Sequence, residues 1–410
     1  MKKTCIVIGA SHAASSLVTS LRSEGWTGNI IVVGDESSWP YHRPPLSKEF
    51  LAGDKNLEDL QLKHPDRYKK MDVEFKLGVR VNAVDRQHKT ISLDSGETLV
   101  YDKLAFCTGA RARKIPLAGS DLNGVNYLRN FSDIENIKSY VVPGKPAVII
   151  GGGYIGLETA AVLNKLGMTV TVLEAAPRVL ARITAPEISH FYTRVHDEEG
   201  VSIRTNINVQ ALEGDSQIER VVLDDGTALD ASLVIIGVGV LPNVELAEAA
   251  GMQVDNGIVV DECSRTEDPD IVAAGDCASF PSLIYGRRIR IESVPNATEQ
   301  AKSAAASLCD NPKVYDVLPW FWSDQFDIKL QIAGLNQGYD QVILRKNPDQ
   351  KRSLVALYLE KKKLIAADCI NSPREFMQCK RIIRDGLSAN PNLTSNTDSS
   401  LTEIFRQELL

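Results

Sequence analysis

Two apolar runs stopped by glycine, CIVIG at 5–9 and AVIIG at 147–151, dominate the hydrophobic pattern of this chain. They are short, rich in β-branched residues and free of polar positions, which suits strands buried on both faces of a parallel sheet. Each leads into helical periodicity, AASSLVTSLRSEG and YIGLETAAVLNKLG, closed by Gly25 and Gly167. Second strands follow, NIIVVGDE and TVTVLEAA, each finishing in an acid. This is the βαβ unit of a dinucleotide-binding domain, and in this full context it is far more specific than a glycine motif alone.

The pattern then repeats at longer range. ISLDSGETLVYDKLAFCTG and VVLDDGTALDASLVIIGVG share one plan: a strand, an Asp-x-Gly turn, and an apolar strand ending in a second glycine. Gly96 and Gly109 have the same separation as Gly226 and Gly239. Matched spacing in matched order indicates duplicated Rossmann-like domains and an α/β fold. Near the end, KKK at 361–363 reads as a solvated hairpin turn between LVALYLE and LIAADCI. The polar SANPNLTSNTDSS reads as an exposed loop before a last helix, LTEIFRQELL. In PWFWSDQ, an extended backbone turns Trp320 and Trp322 to one side and Phe321 to the other.

The glycine loops carry the candidate chemistry. In IVIGASHAAS, Gly9 is in place and Ala14 closes the motif, with Ser11 where the middle glycine usually stands. In GGGYIG, Gly151, Gly153 and Gly156 complete it. Such loops let the backbone approach a pyrophosphate, and the helix N-terminus supplies N–H groups and the positive end of a dipole. Ser11 adds a Cβ at that approach, but it is small and its hydroxyl can donate to phosphate. Both sites are therefore expected to bind. His12 and His42 have no partners at metal or triad spacing and receive no catalytic role.

Composition narrows the classes. The 410 residues suggest two or three domains, and a net charge of −7 argues against nucleic acid as partner. No apolar run approaches the ~20 residues of a membrane helix. MKKT before CIVIGA mimics a signal peptide, but its apolar stretch is too short and cleavage would destroy the glycine loop. Cysteines 5, 107, 263, 277, 309, 369 and 379 show no zinc or Cys-x-x-Cys spacing, which reads as reduced thiols in a cytoplasmic protein without a metal.

TEDPDIVAAGDCASF brings Gly275-Asp276 after a strand, placed for a carboxylate that reaches a flavin nucleotide. Together with CTG at 107–109, GGGYIGLE, GVGVLPN and AAGDC, this resembles the glutathione-reductase-type flavoproteins. VVGDESSWPYHRPPLSKEFLAG, RIESVPNATEQAK and PWFWSDQ narrow the resemblance to the putidaredoxin-reductase-like, oxygenase-coupled ferredoxin reductases. It spans essentially the whole chain, with Ser11 and Ala14 as departures in the first loop. The resemblance implies a discontinuous FAD domain at 1–112 and 245–318, an NAD domain at 113–244 and a C-terminal α+β domain at 319–410. FAD contacts carried over by motif are Ala13, Asp35, Lys48, Val81, Arg129, Asp276 and Val294, with Glu36 a competitor of Asp35. Val81 alone reads as an ordinary core residue.

In the second site Glu174 faces the adenosine ribose. A 2′-phosphate at ~4 Å and an effective dielectric of ~20 would be repelled by about 4 kcal/mol per charge pair, about a thousandfold against NADPH. Arg178, four residues on, could soften this, and NADH is the expected reductant. Dithiol relatives use cysteines upstream of the segment matching PPLSK. SSWPYHRPPLSK has none, so electrons are expected to leave the flavin directly for a [2Fe–2S] ferredoxin, itself acidic. The resemblance places Lys48 and Glu158 as a pair beside the flavin, although Glu158 alone reads as a helix-surface acid. Trp322 would screen the flavin edge, the alternative being a core aromatic. Arg287, Arg288, Arg290 and Lys302 are the candidate docking rim for the ferredoxin. The expected activity is NADH:ferredoxin reduction for a bacterial cytochrome P450, by a monomer or weak dimer. A dioxygenase or rubredoxin system, or a signalling flavoprotein of the apoptosis-inducing-factor type, stays open beside it.

Overall fold

In the computed structural model, which describes residues 2–346, 351–390 and 399–406, the chain divides into two compact units. The first comprises Met1–His42, Leu57–Arg111 and Val240–Pro319. The second comprises Arg43–Asn56, Ala112–Gly239 and Trp320–Leu410.

The apolar run at 5–9 forms the central strand, Thr4–Ile8, of a five-stranded parallel sheet in the first unit. Asn29–Gly34 and then Val73–Leu77 lie on one side, Lys103–Phe106 and Ile271–Ala273 on the other. In register, Ile6 sits between Ile31 and Leu104. Helix His12–Ser23 buries Leu17, Val18 and Leu21 in a core shared with Ala301, Ala304 and Ala305 of helix Val294–Leu308. The small-residue face of that second helix allows the two to approach closely.

The second unit repeats the plan. Pro146–Ile150 is central, with Thr169–Glu174 and Ser202–Thr205 on one side and Leu233–Ile236 and Val125–Tyr127 on the other, all parallel. The Asp-x-Gly hairpins also match: Gly96 joins Thr90–Leu93 to Thr98–Val100, and Gly226 joins Arg220–Leu223 to Ala228–Asp230. The α/β reading from the duplicated motifs therefore holds.

The same unit carries a seven-stranded sheet with Trp320–Gln325 at one end of its main path. Strands Leu354–Glu360 and Lys363–Ile370 form the expected hairpin, and Lys361 and Lys362 turn it with left-handed backbone (φ 47° and 69°). Helix Pro373–Arg384 covers the sheet with Phe376, Cys379, Ile382 and Ile383. The last helix is shorter than its sequence suggests. It spans only Leu401–Ile404, after which Phe405 extends and pairs with Ala389. Phe405, 2% exposed, gains more from that pairing and burial than from another helical turn. Residues 391–398 of the expected loop and 407–410 of the expected helix lie outside the described residues.

Candidate functional site

The first cradle is built by backbone approach. Gly9 has φ +103°, and a Cβ there would stand 2.1 Å from the Cys107 carbonyl oxygen. Only glycine fits. Ser11 follows as the extended N-cap of helix His12–Ser23, and its hydroxyl makes no capping bond to the first turn. A helix N-terminus of this kind offers N–H groups to an anion, and Ala13 and Ala14 are buried in its first turn. Gly275 closes the other side of this cradle. Its N–H donates to Gln300 Oε1 at 2.9 Å, and a Cβ would meet Ala13 Cβ at 3.3 Å and Ala297 Cβ at 3.4 Å. Asp276 thus lies where two helices begin, one of them opening with Val294 behind its N-cap Ser293. A cradle that a Cβ would fill, faced by uncapped helical N–H groups, fits the pyrophosphate of a dinucleotide.

Asp35 is exposed at the end of its strand, whereas Glu36 accepts from the Tyr41 hydroxyl at 2.5 Å. That contact leaves Asp35 the better placed of the two for a ribose. Val81 is buried on the strand Val81–Asp85, opposite Leu93. Arg129 belongs to the second unit, where its N–H donates to Asp133 Oδ2 at 2.8 Å just before the helix cap Asn130.

The second cradle has the same construction. Gly151 has φ +112°, and a Cβ there would stand 2.4 Å from Gly237 O. Gly153 caps helix Tyr154–Lys165, and a Cβ on Gly156 would stand 2.2 Å from Gly151 O. Glu174 ties the loop down: Oε2 accepts from the Gly152 N–H at 2.7 Å and Oε1 from the Ala176 N–H at 2.8 Å. Arg178 donates to Ser189 Oγ at 2.7 Å and to the Ala181 carbonyl at 2.9 Å. Its guanidinium is held in place by this local scaffold.

Glu158 is no helix-surface acid. It is 5% exposed, and Lys48 Nζ lies 3.1 Å from its Oε1. The Ser323 hydroxyl donates to the same oxygen at 2.6 Å and the Ser47 hydroxyl to Oε2 at 2.8 Å. Burial pushes the Glu158 carboxyl above its ordinary range, against the pull of Lys48, Ser323 and Ser47. Lys48 reaches it from the end of the turn Pro44–Ser47 and also lies 3.9 Å from Asp324. Ser47 stood next to a nominated residue, whereas Ser323 showed itself only as the position between a tryptophan and an acid.

Trp320 and Trp322 share one side of their strand, ring centroids 5.5 Å apart. With Asp324, Lys329, Gln331 and Asn371 they line a hollow of about 610 Å³. Phe321 points the other way, 5.0 Å from Tyr154.

The basic rim is uneven. Arg288 donates to the Val260 and Ser279 carbonyls, Arg290 pairs with Glu292 at 2.7 Å, and Lys302 pairs with Glu299 at 2.6 Å. Arg287 is exposed on the strand Arg287–Ile289. All seven cysteines are free thiols, and burial raises those of Cys5, Cys107 and Cys277. Among the described residues there is no cluster of metal ligands, and no helix is long and apolar enough to cross a membrane.

Two cradles fit for pyrophosphate on one chain, with Glu158 of the second one's helix paired to Lys48 away from water, define a nucleotide-dependent oxidoreductase. Residues 3–301 match the pyridine nucleotide-disulphide oxidoreductase family and residues 320–405 the reductase C-terminal family, so the chain belongs to the former and carries the latter's domain. It is 45% identical to putidaredoxin reductase of Pseudomonas putida, over 98% of this chain and 96% of that one. The covalent putidaredoxin reductase–putidaredoxin complex superposes with a TM-score of 0.94, at 44% identity and 98% coverage of each chain. The ferredoxin reductase for the CYP199A2 system of Rhodopseudomonas palustris gives 0.93, at 37% identity over 98% of this chain and 99% of that one. The expectations of a flavin with a pyridine nucleotide, and of an oxidoreductase of this group, stand on these findings.

Proposed function

We propose that this protein is an FAD-containing NADH:ferredoxin reductase that serves a bacterial cytochrome P450. The observation that carries the reading is the buried Lys48–Glu158 pair, in a chain similar along its whole length to putidaredoxin reductase. FAD, when bound, takes up the two electrons of a hydride and gives them out singly.

Each residue has its own part in this reading. Gly9, Ser11, Ala13 and Ala14 admit the flavin pyrophosphate, Asp35 takes a ribose, and Lys48, Val81, Arg129, Asp276 and Val294 complete that site. Gly151, Gly153, Gly156 and Glu174 hold NADH. Lys48, held in position by Glu158, would lie beside the flavin and supply a positive charge that favours its reduction. Trp322 screens the route to the partner, an acidic [2Fe–2S] ferredoxin drawn to a basic rim around Arg287. The domains are those of the family plan, with 319–410 as a ferredoxin-facing domain, in a cytoplasmic monomer or weak dimer.

The purified protein should be yellow, and NADH should reduce an added [2Fe–2S] ferredoxin faster than a rubredoxin, with ferricyanide as control. Activity with ferricyanide but with neither iron protein would sink the reading, as would a colourless protein that stays so after incubation with FAD.

A further inference from the structure

The strand Trp320–Gln325 has a second face. Ser323 is fully buried there and Gln325 is 2% exposed. Gln325 Nε2 donates to Ser323 Oγ at 3.2 Å, and its Oε1 meets His196 Nε2 at 2.8 Å. His196 is itself fully buried on helix Pro186–Glu198, its Nδ1 without a hydrogen-bond partner.

The donor directions follow from chemistry. An amide oxygen only accepts, so His196 carries its proton on Nε2 and the ring is neutral with a bare Nδ1. Burial holds the imidazole below its ordinary range, in keeping with that state. Ser323 receives the amide N–H of Gln325 and so spends its own hydrogen on Glu158. The chain of donors therefore runs one way, from His196 through Gln325 and Ser323 to Glu158 Oε1. Every donor in it is aimed at Glu158 Oε1, and such a series serves a charged acceptor better than a neutral one.

We propose that Ser323, Gln325 and His196 are positioning residues that keep Glu158 ionised and thereby hold the Lys48 ammonium in place. The inference rests on the reading that the Lys48–Glu158 pair acts on the flavin. The other groups that bear on the carboxylate are Asp324, 3.9 Å from Lys48, and the buried phenols of Tyr154 and Tyr192. Asp368 bears on the same phenols. None of these supplies a hydrogen bond to Glu158 among the described residues, whereas the two serines and Lys48 do. Because Trp320, Trp322 and Asp324 alternate with Phe321, Ser323 and Gln325, the same strand lines the aromatic hollow on one side and fixes the acid on the other.

The test compares Ser323→Ala, Gln325→Met, Ser323→Thr and Glu158→Gln in the flavin-loaded protein. Two quantities are read: the infrared band of the protonated Glu158 carboxyl, identified by its loss in Glu158→Gln, and the rate of flavin reduction at saturating NADH. Loss of one hydrogen bond to a charged group shifts the acid constant by about tenfold. Ser323→Ala should therefore move the onset of the acid band up by about one pH unit relative to the parent. Gln325→Met should move it the same way by less, and both should reduce the flavin more slowly, with the dissociation constant for NADH unchanged. Ser323→Thr, which keeps the hydroxyl, should restore both. An unchanged band and rate in Ser323→Ala, with Glu158→Gln slow, would overturn the relay, as would failure of Ser323→Thr to rescue. Full-speed reduction by Glu158→Gln would instead remove the role given to the pair, while the infrared band still decides the relay.

Discussion

Glu158 Oε1 and Lys48 Nζ lie 3.1 Å apart, with only 6% and 13% of the two side chains exposed. The arrangement is asymmetric in what each partner loses alone. Without Lys48, the carboxylate keeps two serine donors but no opposite charge in a site where burial already favours its neutral form. Removing one partner of a buried pair typically costs about 3 kcal/mol or more. Lys48→Met should therefore lower the thermal midpoint clearly and slow flavin reduction by NADH. Glu158→Gln strands Lys48 in turn, but the lysine keeps Asp324 3.9 Å away as a counter-charge and is the more exposed partner, so this variant should cost less stability. Equal losses of stability in the two variants would contradict this picture.

A second buried acid gives the protein a pH signature. Asp368 is 1% exposed and accepts from the Tyr358 hydroxyl at 2.5 Å, while the same phenol oxygen accepts from the Ala185 N–H at 2.9 Å. Burial raises its carboxyl from 3.8 to about 7. A raised acid binds its proton more tightly in the folded state. Its stabilising contribution is then complete below the unfolded value and is lost as pH rises through the folded one. Over that window the loss is on the order of 4 kcal/mol. Asp368→Asn should flatten the difference in unfolding free energy between pH 4 and 7 and be more stable than the parent at pH 8. Urea melts of both proteins across that range check the sign, and a variant that is less stable at pH 8 would refute it.

Much of this was legible in the sequence because the signals were local and repeated. The glycine loops, the acids ending the second strands and the Asp-x-Gly hairpins each rest on spacings of a few residues that backbone geometry enforces. The alternation of Trp320, Phe321 and Trp322 followed from strand geometry in the same way. What escaped was set by tertiary contact. Ser323, Gln325 and His196 converge on Glu158 from a strand and a helix far away along the chain, and nothing in their neighbours marks them. Asp368 sits inside LIAADCI, where a lone acid in an apolar run has no readable partner until Tyr358 is brought alongside. The end of the last helix was misplaced because Phe405 is captured by strand pairing, a preference no local propensity records.

In the proposed reading, cofactor choice depends on Glu174 and on the engagement of Arg178. With its guanidinium bound to Ser189 and to the Ala181 carbonyl, Arg178 is a poor candidate to offset the repulsion between Glu174 and a 2′-phosphate. NADH should be preferred over NADPH by about a thousandfold in kcat/KM. Glu174→Gln removes the charge and keeps one acceptor oxygen for the two loop N–H groups of Gly152 and Ala176, at the cost of the other bond. It should raise kcat/KM for NADPH by at least about tenfold while lowering that for NADH modestly. No gain with NADPH would mean that the carboxylate does not face the ribose.

The proposed docking rim can be ranked by how its side chains are already engaged. Lys302 and Arg290 have carboxylate partners at 2.6 and 2.7 Å, and Arg288 is held by two backbone carbonyls. Arg287 lies exposed on the same strand as Arg288, with no carboxylate near enough among the described residues to form an ion pair with it. An acidic ferredoxin would then feel Arg287 most, and the effect should fall on association, which depends on charge and salt. Arg287→Glu should lower kcat/KM for ferredoxin by about tenfold at low ionic strength, with the difference shrinking as salt is added. Lys302→Glu, which also leaves Glu299 without its partner, should have a smaller effect of the same sign. NADH–ferricyanide turnover should be unaffected in both, since that reaction requires no docked protein. If both variants reduce ferredoxin at the parental rate at every salt concentration, this rim has no part in docking, and the partner must approach by another face.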